Sequence, residues 1–368
     1  MGGRTELAED LVENILVRLS VKSLIRFKCV DRSWDILFKT PAFINNHMQI
    51  HRNQDSVLFS DIGFDRWLIL NKNSKLVVDT RDLFPEINSE GLYDDKTYML
   101  CHCSGIFGIC VFFSKQFNRG ENNDHKLFLW NPATREVKVV PPPPMPYGSH
   151  CYSLDFGFGV DPNSNDLKIV NLIVYDKNNH PPYAMLYNLI TKSWTRITID
   201  TIPVDAIGNC FYRQGFVANG VCYWIISKGW RNGNENILSF DFRNNQFHIL
   251  KRPPTSMGYA YDFINEFNDS IAYVVHHSDP NYHFSLMVEI WILEEDRWTK
   301  KHTFPPFEYL QGLYAIWKGG AEFIGVAVGG ATFDSFNSDS QTICDLGVSS
   351  MFLEVVHKYV ESIASLSF

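Results

Sequence analysis

Residues 7–47 repeat their apolar positions at helical spacing. Leu11, Ile15, Leu16 and Leu19 form one set, and Leu24, Phe27 and Val30 a second. From Asp31 to Phe38 a third set places Trp34, Leu37 and Phe38 on one side, with Asp31 suited to cap the start. This window has no glycine, and its one proline, Pro41, is expected to stop the third helix. The pattern predicts three short helices. So small a unit encloses little core, so it gains stability by docking on something else.

Beyond residue 50 the period changes to that of strands. Ile109-Cys-Val-Phe-Phe113 and Ile169 to Val174 read as strands covered on both faces, and Asn219-Gly220 suits a tight hairpin turn. One local pattern recurs: a large apolar residue, a polar turn, then a second large apolar residue seven positions on. Its copies are Ile69…Leu76, Trp130…Val137, Tyr187…Trp194, Phe240…Phe247 and Trp291…Trp298, with a sixth of altered spacing near Phe333 to Ile343. The starts at 69, 130, 187, 240 and 291 are separated by 61, 57, 53 and 51 residues. Prolines follow three copies, at Pro141 to Pro144, Pro253-Pro254 and Pro305-Pro306. A period near ~50 residues carrying four strands is that of a β-propeller blade. The expected fold is mainly β: a small helical head followed by a β-propeller-like, kelch-like domain of about six blades.

Composition agrees. Of the 368 residues 14% are aromatic and 20% charged. So apolar a chain can offset the entropy of ordering, and so many rings with 23 Gly and 17 Pro exclude a coiled coil. The longest apolar run, Ile106 to Phe113, is far short of the ~18 residues a membrane span needs. The formal net charge of −8 argues against nucleic acid as the main partner. The first fifty residues carry 7 basic and 6 acidic groups, net +1, which leaves −9 for the remainder. The N-terminus, MGGRTELAED, lacks an apolar signal region, and Glu6 replaces the Ser or Thr of a myristoylation motif. A soluble protein of the cytoplasm or nucleus, with no membrane partner, is expected. The eight cysteines are scattered among apolar residues. Cys101-His102-Cys103 with Cys110 lacks the second ligand pair of a zinc site and reads as buried thiols.

The helical segment resembles the F-box. The residues that carry the resemblance are Leu7-Ala-Glu-Asp-Leu11, Asn14-Ile-Leu16, Arg18-Leu-Ser-Val-Lys-Ser-Leu24, Arg26-Phe-Lys-Cys-Val30, Ser33-Trp34 and Pro41-Ala-Phe43. Ala8 and Ser20 stand where the family has prolines, which should loosen the helix starts. The body resembles plant F-box-associated (FBA) domains through Leu129-Trp-Asn-Pro-Ala-Thr-Arg-Glu136, Phe156-Gly-Phe-Gly-Val-Asp-Pro162, Asp166-Leu-Lys-Ile-Val170, Ile237-Leu-Ser-Phe-Asp-Phe242, Glu289-Ile-Trp-Ile292 and Tyr359-Val-Glu-Ser362. Within that family it is similar to the S-locus F-box group.

The resemblance implies two domains, an F-box over 4–48 and a substrate-recognition domain over 55–368. It implies a substrate receptor of an SCF-type ubiquitin ligase. The partners would be a Skp-type adaptor, through it a cullin and a ring-type subunit, and a protein target. In the S-locus group that target is a basic ribonuclease (S-RNase). Carried over by motif position, the adaptor-facing residues are Leu7, Leu11, Ile15, Leu16, Leu19, Val21, Leu24, Phe27, Val30 and Trp34. The target is expected on polar loops at one propeller face: Phe117 to Lys126, Asp176 to Tyr183, Gly229 to Asn236 and His276 to Phe284. Tyr183, Trp230 and Tyr282 are the candidate anchors.

The residues themselves offer no catalytic set. Gly157-Phe-Gly159 is too short for a dinucleotide fingerprint, and neither a P-loop nor a Gly-x-Ser-x-Gly elbow occurs. His276-His277 and His283 with Asp279 read as a solvated loop rather than a metal site. No cofactor, metal or catalytic residue is expected. The rival readings are a kelch-like propeller enzyme, an oxidase or hydrolase, and an F-box binding module without a ligase link.

Overall fold

A computed structural model describes residues 8–52, 56–61, 66–71, 74–79, 96–112, 125–144, 151–175, 182–199, 210–212, 215–228, 235–255, 259–267, 270–279, 282–307, 310–327, 332–337, 339–340, 342–349 and 353–366. The head has four helices rather than three: α1 (Glu9–Leu16), α2 (Val21–Phe27), α3 (Arg32–Leu37) and α4 (Pro41–His51). Pro41 ends α3 as expected, but it also opens α4. It occupies the first turn, where a missing N–H costs nothing, and the Thr40 hydroxyl caps the helix by accepting from the Phe43 N–H at 3.3 Å. Asp31 caps α3 through the Ser33 N–H at 2.7 Å.

Ala8 and Ser20 precede α1 and α2 with φ of −57° and −63°, within the range of a proline ring, and neither makes a side-chain cap. The backbone thus takes the prolyl shape without the ring to hold it. Restoring the ring at Ser20 (Ser20→Pro) is expected to stabilise the head by about 0.4–1 kcal/mol through the unfolded state. A melting curve followed by helical circular dichroism reads this; no rise in the midpoint refutes it.

Beyond the head, the described strands form six antiparallel sheets. Blade 1 joins both ends of the body: Leu353–Tyr359 pairs with Ser56–Asp61, followed by Arg66–Asn71 and Ser74–Asp79. Blade 2 runs Lys96–Cys103, Ile106–Phe112, His125–Asn131, Glu136–Val140, and blade 3 Cys151–Val160, Leu167–Tyr175, Tyr183–Asn188, Ser193–Thr198. In blade 4, Cys210–Tyr212 and Phe216–Ala218 both pair with Val221–Lys228, and Glu235–Asp241 and Gln246–Lys251 follow. Blade 5 is Tyr259–Phe267, Ser270–Asp279, Tyr282–Glu294, Arg297–Phe307, and blade 6 Leu310–Trp317, Glu322–Ala327, Thr332–Asn337, Ile343–Ser349.

Apolar wedges close the ring. Trp67 and Tyr359 meet Phe107 and Trp130 between blades 1 and 2. Leu129 meets Phe156 and Phe158 between 2 and 3, and Leu172 meets Trp224 and Phe240 between 3 and 4. Ile237 meets Tyr273 and Trp291 between 4 and 5, Val288 meets Leu313 and Phe323 between 5 and 6, and Phe333 meets Phe59 and Val356 between 6 and 1. Six blades therefore complete a circle.

The seven-residue spacing has a direct cause. Ile69 lies opposite Leu76, Trp130 opposite Val137, Tyr187 opposite Trp194 and Phe240 opposite Phe247, each across the last hairpin of its blade. In three of these hairpins a four-residue turn ends on a left-handed residue: Arg135, Lys192 or Asn245. An Asn or Asp at the turn's start accepts from an N–H inside it. These bonds are Ala133 to Asn131 at 3.0 Å, Thr191 to Asn188 at 2.7 Å and Arg243 to Asp241 at 2.8 Å. The sixth copy is regular after all. Phe336 lies opposite Ile343 and Asn337 accepts from the Asp339 N–H at 3.0 Å, so its proper start is Phe336 rather than Phe333. The fifth copy is the altered one. A two-residue turn at Glu295-Asp296, whose residues both have positive φ, pairs Trp298 with Leu293 and Trp291 with Lys300, and a bulge follows between Trp291 and Ile290.

A buried ion pair fastens blade 3 to blade 4. Lys168 Nζ donates to Asp161 Oδ2 at 2.7 Å, to the Phe242 carbonyl at 3.3 Å and to Asn245 Oδ1 at 3.2 Å. Burial alone would raise the Asp161 pKa. The bonds from Lys168 and from the Asn163 N–H outweigh it and hold the carboxyl below its ordinary value of 3.8. A depressed carboxylate adds stability above its unfolded pKa and loses it as pH falls through the folded one. Melting temperature is therefore expected to drop as pH is lowered past the ordinary carboxylate range. Asp161→Asn should reduce that dependence; an unchanged slope refutes the assignment.

Candidate functional site

α1 carries two apolar stripes, each at i, i+4 spacing. Val12 and Leu16 point into the head, with Leu16 2% exposed. Leu11 and Ile15 point outward, each 48% exposed. The same division runs through the other helices. Leu16, Val21 and Leu24, expected to face an adaptor, instead build the core with Val17, Phe38 and Phe43. Four short helices have few other side chains with which to fill their centre. Leu19, Phe27 and Trp34 are partly buried around that core, with the Phe27 and Trp34 rings 5.7 Å apart. Val30 is 66% exposed, and the structure adds Ile36 at 60% and Ile50 at 39%. Five of the eight large apolar side chains found exposed among the described residues thus lie in the head. Leu7 lies outside the described residues.

The propeller presents two faces. In each blade the end of the first strand and start of the second, and the end of the third strand and start of the fourth, lie at one of them. The head sits there: Ala133, in the last turn of blade 2, and Ile363, just past the Leu353–Tyr359 strand, join its apolar core. Arg52 also pairs with Glu266, near the end of the Tyr259–Phe267 strand, at 2.5 Å. The second and third strands of each blade are joined at the opposite face. The ends flanking 113–124, 176–182, 229–234 and 280–281 therefore point away from the head. A seven-residue strand such as Ile106–Phe112 puts about 23 Å between the faces.

Of the expected anchors, Trp230 lies outside the described residues and Tyr282 opens the strand Tyr282–Glu294. Tyr183 also opens a strand on that face, but it is not available as an anchor. It is 2% exposed, packed with Ile173 and Met185, and the Arg196 guanidinium lies 4.0 Å from its ring centre. His276 and His277 are not in a solvated loop either. They belong to the strand Ser270–Asp279 and are buried. His276 Nε2 accepts from the Leu313 N–H of blade 6 at 3.1 Å.

Nearby Glu289 is 5% exposed and receives Lys300 Nζ at 2.6 Å and Trp291 Nε1 at 3.1 Å. Burial pushes its pKa up, but those donors bring it below the usual carboxylate value, so it is a satisfied ion-pair acceptor inside blade 5. Among the described residues no three His, Cys, Asp or Glu side chains gather as a metal site. Cys110 and Cys222 are buried thiols, and burial raises the pKa of Cys103; Cys29 and Cys344 are exposed. No described helix is long and apolar enough to cross a membrane.

Comparison with known proteins agrees with a small helical head on a six-bladed ring. The family model for the F-box associated beta propeller domain matches residues 48–317. The chain belongs to this family. Its relatives include an F-box/kelch-repeat protein of Arabidopsis thaliana, 25% identical over 304 residues, covering 78% of this chain and 66% of the relative. The Arabidopsis thaliana protein SUPPRESSOR OF NIM1 1 is 27% identical over 69% of this chain and 65% of its own length. An F-box protein of the same plant is 26% identical over 65% of this chain and 58% of its own. The matches thus span 58% to 66% of these relatives. Among solved structures, a puromycin-hydrolyzing peptidase of Mycobacterium tuberculosis aligns at a TM-score of 0.44 with 8% identity, covering 69% of this chain and 38% of its own; so remote a likeness says nothing about activity.

Proposed function

We propose that this F-box-associated propeller protein is a substrate-recognition subunit of an SCF-type ubiquitin ligase. The observation that carries the reading is the exposed apolar face of the head. Leu11 and Ile15 on α1, Ile36 on α3 and Val30 in the turn between α2 and α3 have no partner role in its core yet stand exposed on the head, as an adaptor interface requires. Leu19, Phe27 and Trp34 are partly buried around the core. We read residues 4–48 as the adaptor-binding F-box and 55–368 as the target-recognition domain. A Skp-type adaptor would link the chain to a cullin and a ring-type subunit, and those partners with a conjugating enzyme would perform the transfer. This chain would contribute proximity: one face tied to the ligase, the other free to hold the target at high effective concentration.

The target surface we assign to the face away from the head, with the segments around Trp230 and Tyr282 as its candidates. The net −9 of residues 51–368 supports a basic target, and an S-RNase-like ribonuclease is the specific form the S-locus resemblance suggests. The reading places the protein in the cytoplasm or nucleus and gives it no catalytic role. Capture of a purified Skp-type adaptor by the full chain tests it; failure to bind at micromolar concentrations would overturn it.

A further inference from the structure

The Asn131-Pro-Ala-Thr-Arg-Glu136 segment does more than turn a hairpin. Asn131 is fully buried, and its oxygen is already used by the turn. Its side-chain nitrogen reaches outward and donates to the Ser362 carbonyl at 3.0 Å and the Ala364 carbonyl at 2.7 Å. Two residues of the next strand continue the grip. The Glu136 carboxylate accepts from Ser365 Oγ at 3.1 Å and from the Leu366 N–H at 2.5 Å, and Lys138 Nζ donates to the Leu366 carbonyl at 3.1 Å. Residues 360–366, which follow the last propeller strand, are thereby laid across blade 2.

This segment points its apolar side chains both ways. Leu366, 2% exposed, enters the wedge between blades 2 and 3, whereas Ile363, 1% exposed, enters the core of the head beside Leu16, Leu24 and Phe43. Ser362 is fully buried, and a Cβ on Gly105 would lie 2.5 Å from its Cβ, so the first turn of blade 2 has room for the segment only because it carries glycine. The φ of +74° at Gly105 favours the same residue.

We propose that residues 360–366 are a strap that fixes the head on the propeller, with Asn131, Glu136 and Ile363 as positioning residues for whatever the two ends hold. The covalent link from α4 to the first strand is short, but a link alone leaves the head free to swing. Ala133 and the Arg52–Glu266 pair also touch the head from the propeller, and the strap adds an attachment from the other end of the chain that exists only once Leu353–Tyr359 has closed blade 1. Head orientation is thus coupled to completion of the ring. In the ligase reading, on which this consequence rests, the strap sets the direction in which the target face is presented.

The test uses the full chain without any adaptor, so its outcome is independent of adaptor binding. Spin labels carried by unnatural amino acids at Lys22 on the head and Asp339 on a blade 6 turn, both exposed, report their separation by pulsed dipolar resonance. A single narrow distance is expected for the parent. Ile363→Asp is expected to replace it with a broad distribution. Asn131→Ala alters none of the helical residues of the head, although it also removes the acceptor of the Ala133 N–H in the turn that touches the head core, and it is expected to broaden the distribution as well while the head keeps its helical signal. A distribution as narrow as the parent's in Asn131→Ala, or a head already mobile in the parent, would overturn the proposal.

Discussion

Ile15→Asp and Leu11→Asp are each expected to weaken capture of a Skp-type adaptor by roughly 30-fold or more, the effect of losing a hot-spot contact of about 2 kcal/mol. The melting temperature should stay close to that of the parent, because both side chains are 48% exposed and lie outside the core of the head. Val30→Asp and Ile36→Asp extend the test to the other exposed apolar side chains among these helices. Leu24→Ala supplies the contrast. Its side chain is fully buried among Leu16, Val21 and Phe43, so truncation should cost the head about 2–5 kcal/mol and lower capture only by unfolding it. Surface plasmon resonance with immobilised adaptor, paired with helical circular dichroism, separates the two classes. If the charged variants bind as the parent does, the exposed stripe is not the interface.

That contrast also shows where sequence periodicity runs out. Helical spacing located α1 and α2, and the seven-residue repeat located the blades, because each reflects local geometry: residues on one helix face, or residues opposite across one hairpin. Two apolar stripes on an eight-residue helix are another matter. Leu11 and Ile15 differ from Val12 and Leu16 by one position, and nothing local says which pair faces a partner. The same limit hid the fourth helix, since Pro41 both ends and begins one, and it made Tyr183 look like a loop anchor when it starts a buried strand. The strap was less legible still. Asn131 and Ser362 are 231 positions apart, and the pairing depends on ring closure rather than on any spacing. The sequence does hold one signal: the Asn-Pro-Ala-Thr-Arg-Glu and Tyr-Val-Glu-Ser segments both carry the family resemblance, and the structure brings those two segments together.

The Gly157-Phe-Gly159 segment, which has no place in phosphate binding, finds its explanation between blades 3 and 4. A Cβ on Gly159 would lie 2.3 Å from the Phe242 ring, and one on Gly157 would lie 2.5 Å from Trp224. Neither glycine has a positive φ, so space rather than backbone freedom is what they supply. Phe242 cannot easily retreat. It is fully buried, its N–H donates to the Gly220 carbonyl at 3.0 Å, and its ring abuts Phe240 edge-on at 5.1 Å. Gly159→Ala is therefore expected to destabilise the propeller by about 1–3 kcal/mol through overpacking. Phe242→Ala alone should cost about 3–5 kcal/mol through the cavity it leaves. The informative variant is the pair. With the ring gone the new methyl group enters free space, so the double mutant should be less destabilised than the sum of the singles by about 0.5–3 kcal/mol. Urea unfolding of the four proteins measures that coupling. Strict additivity would mean that the close approach of ring to backbone is not what requires glycine there, and that the wedge between these two blades tolerates more volume than its packing implies.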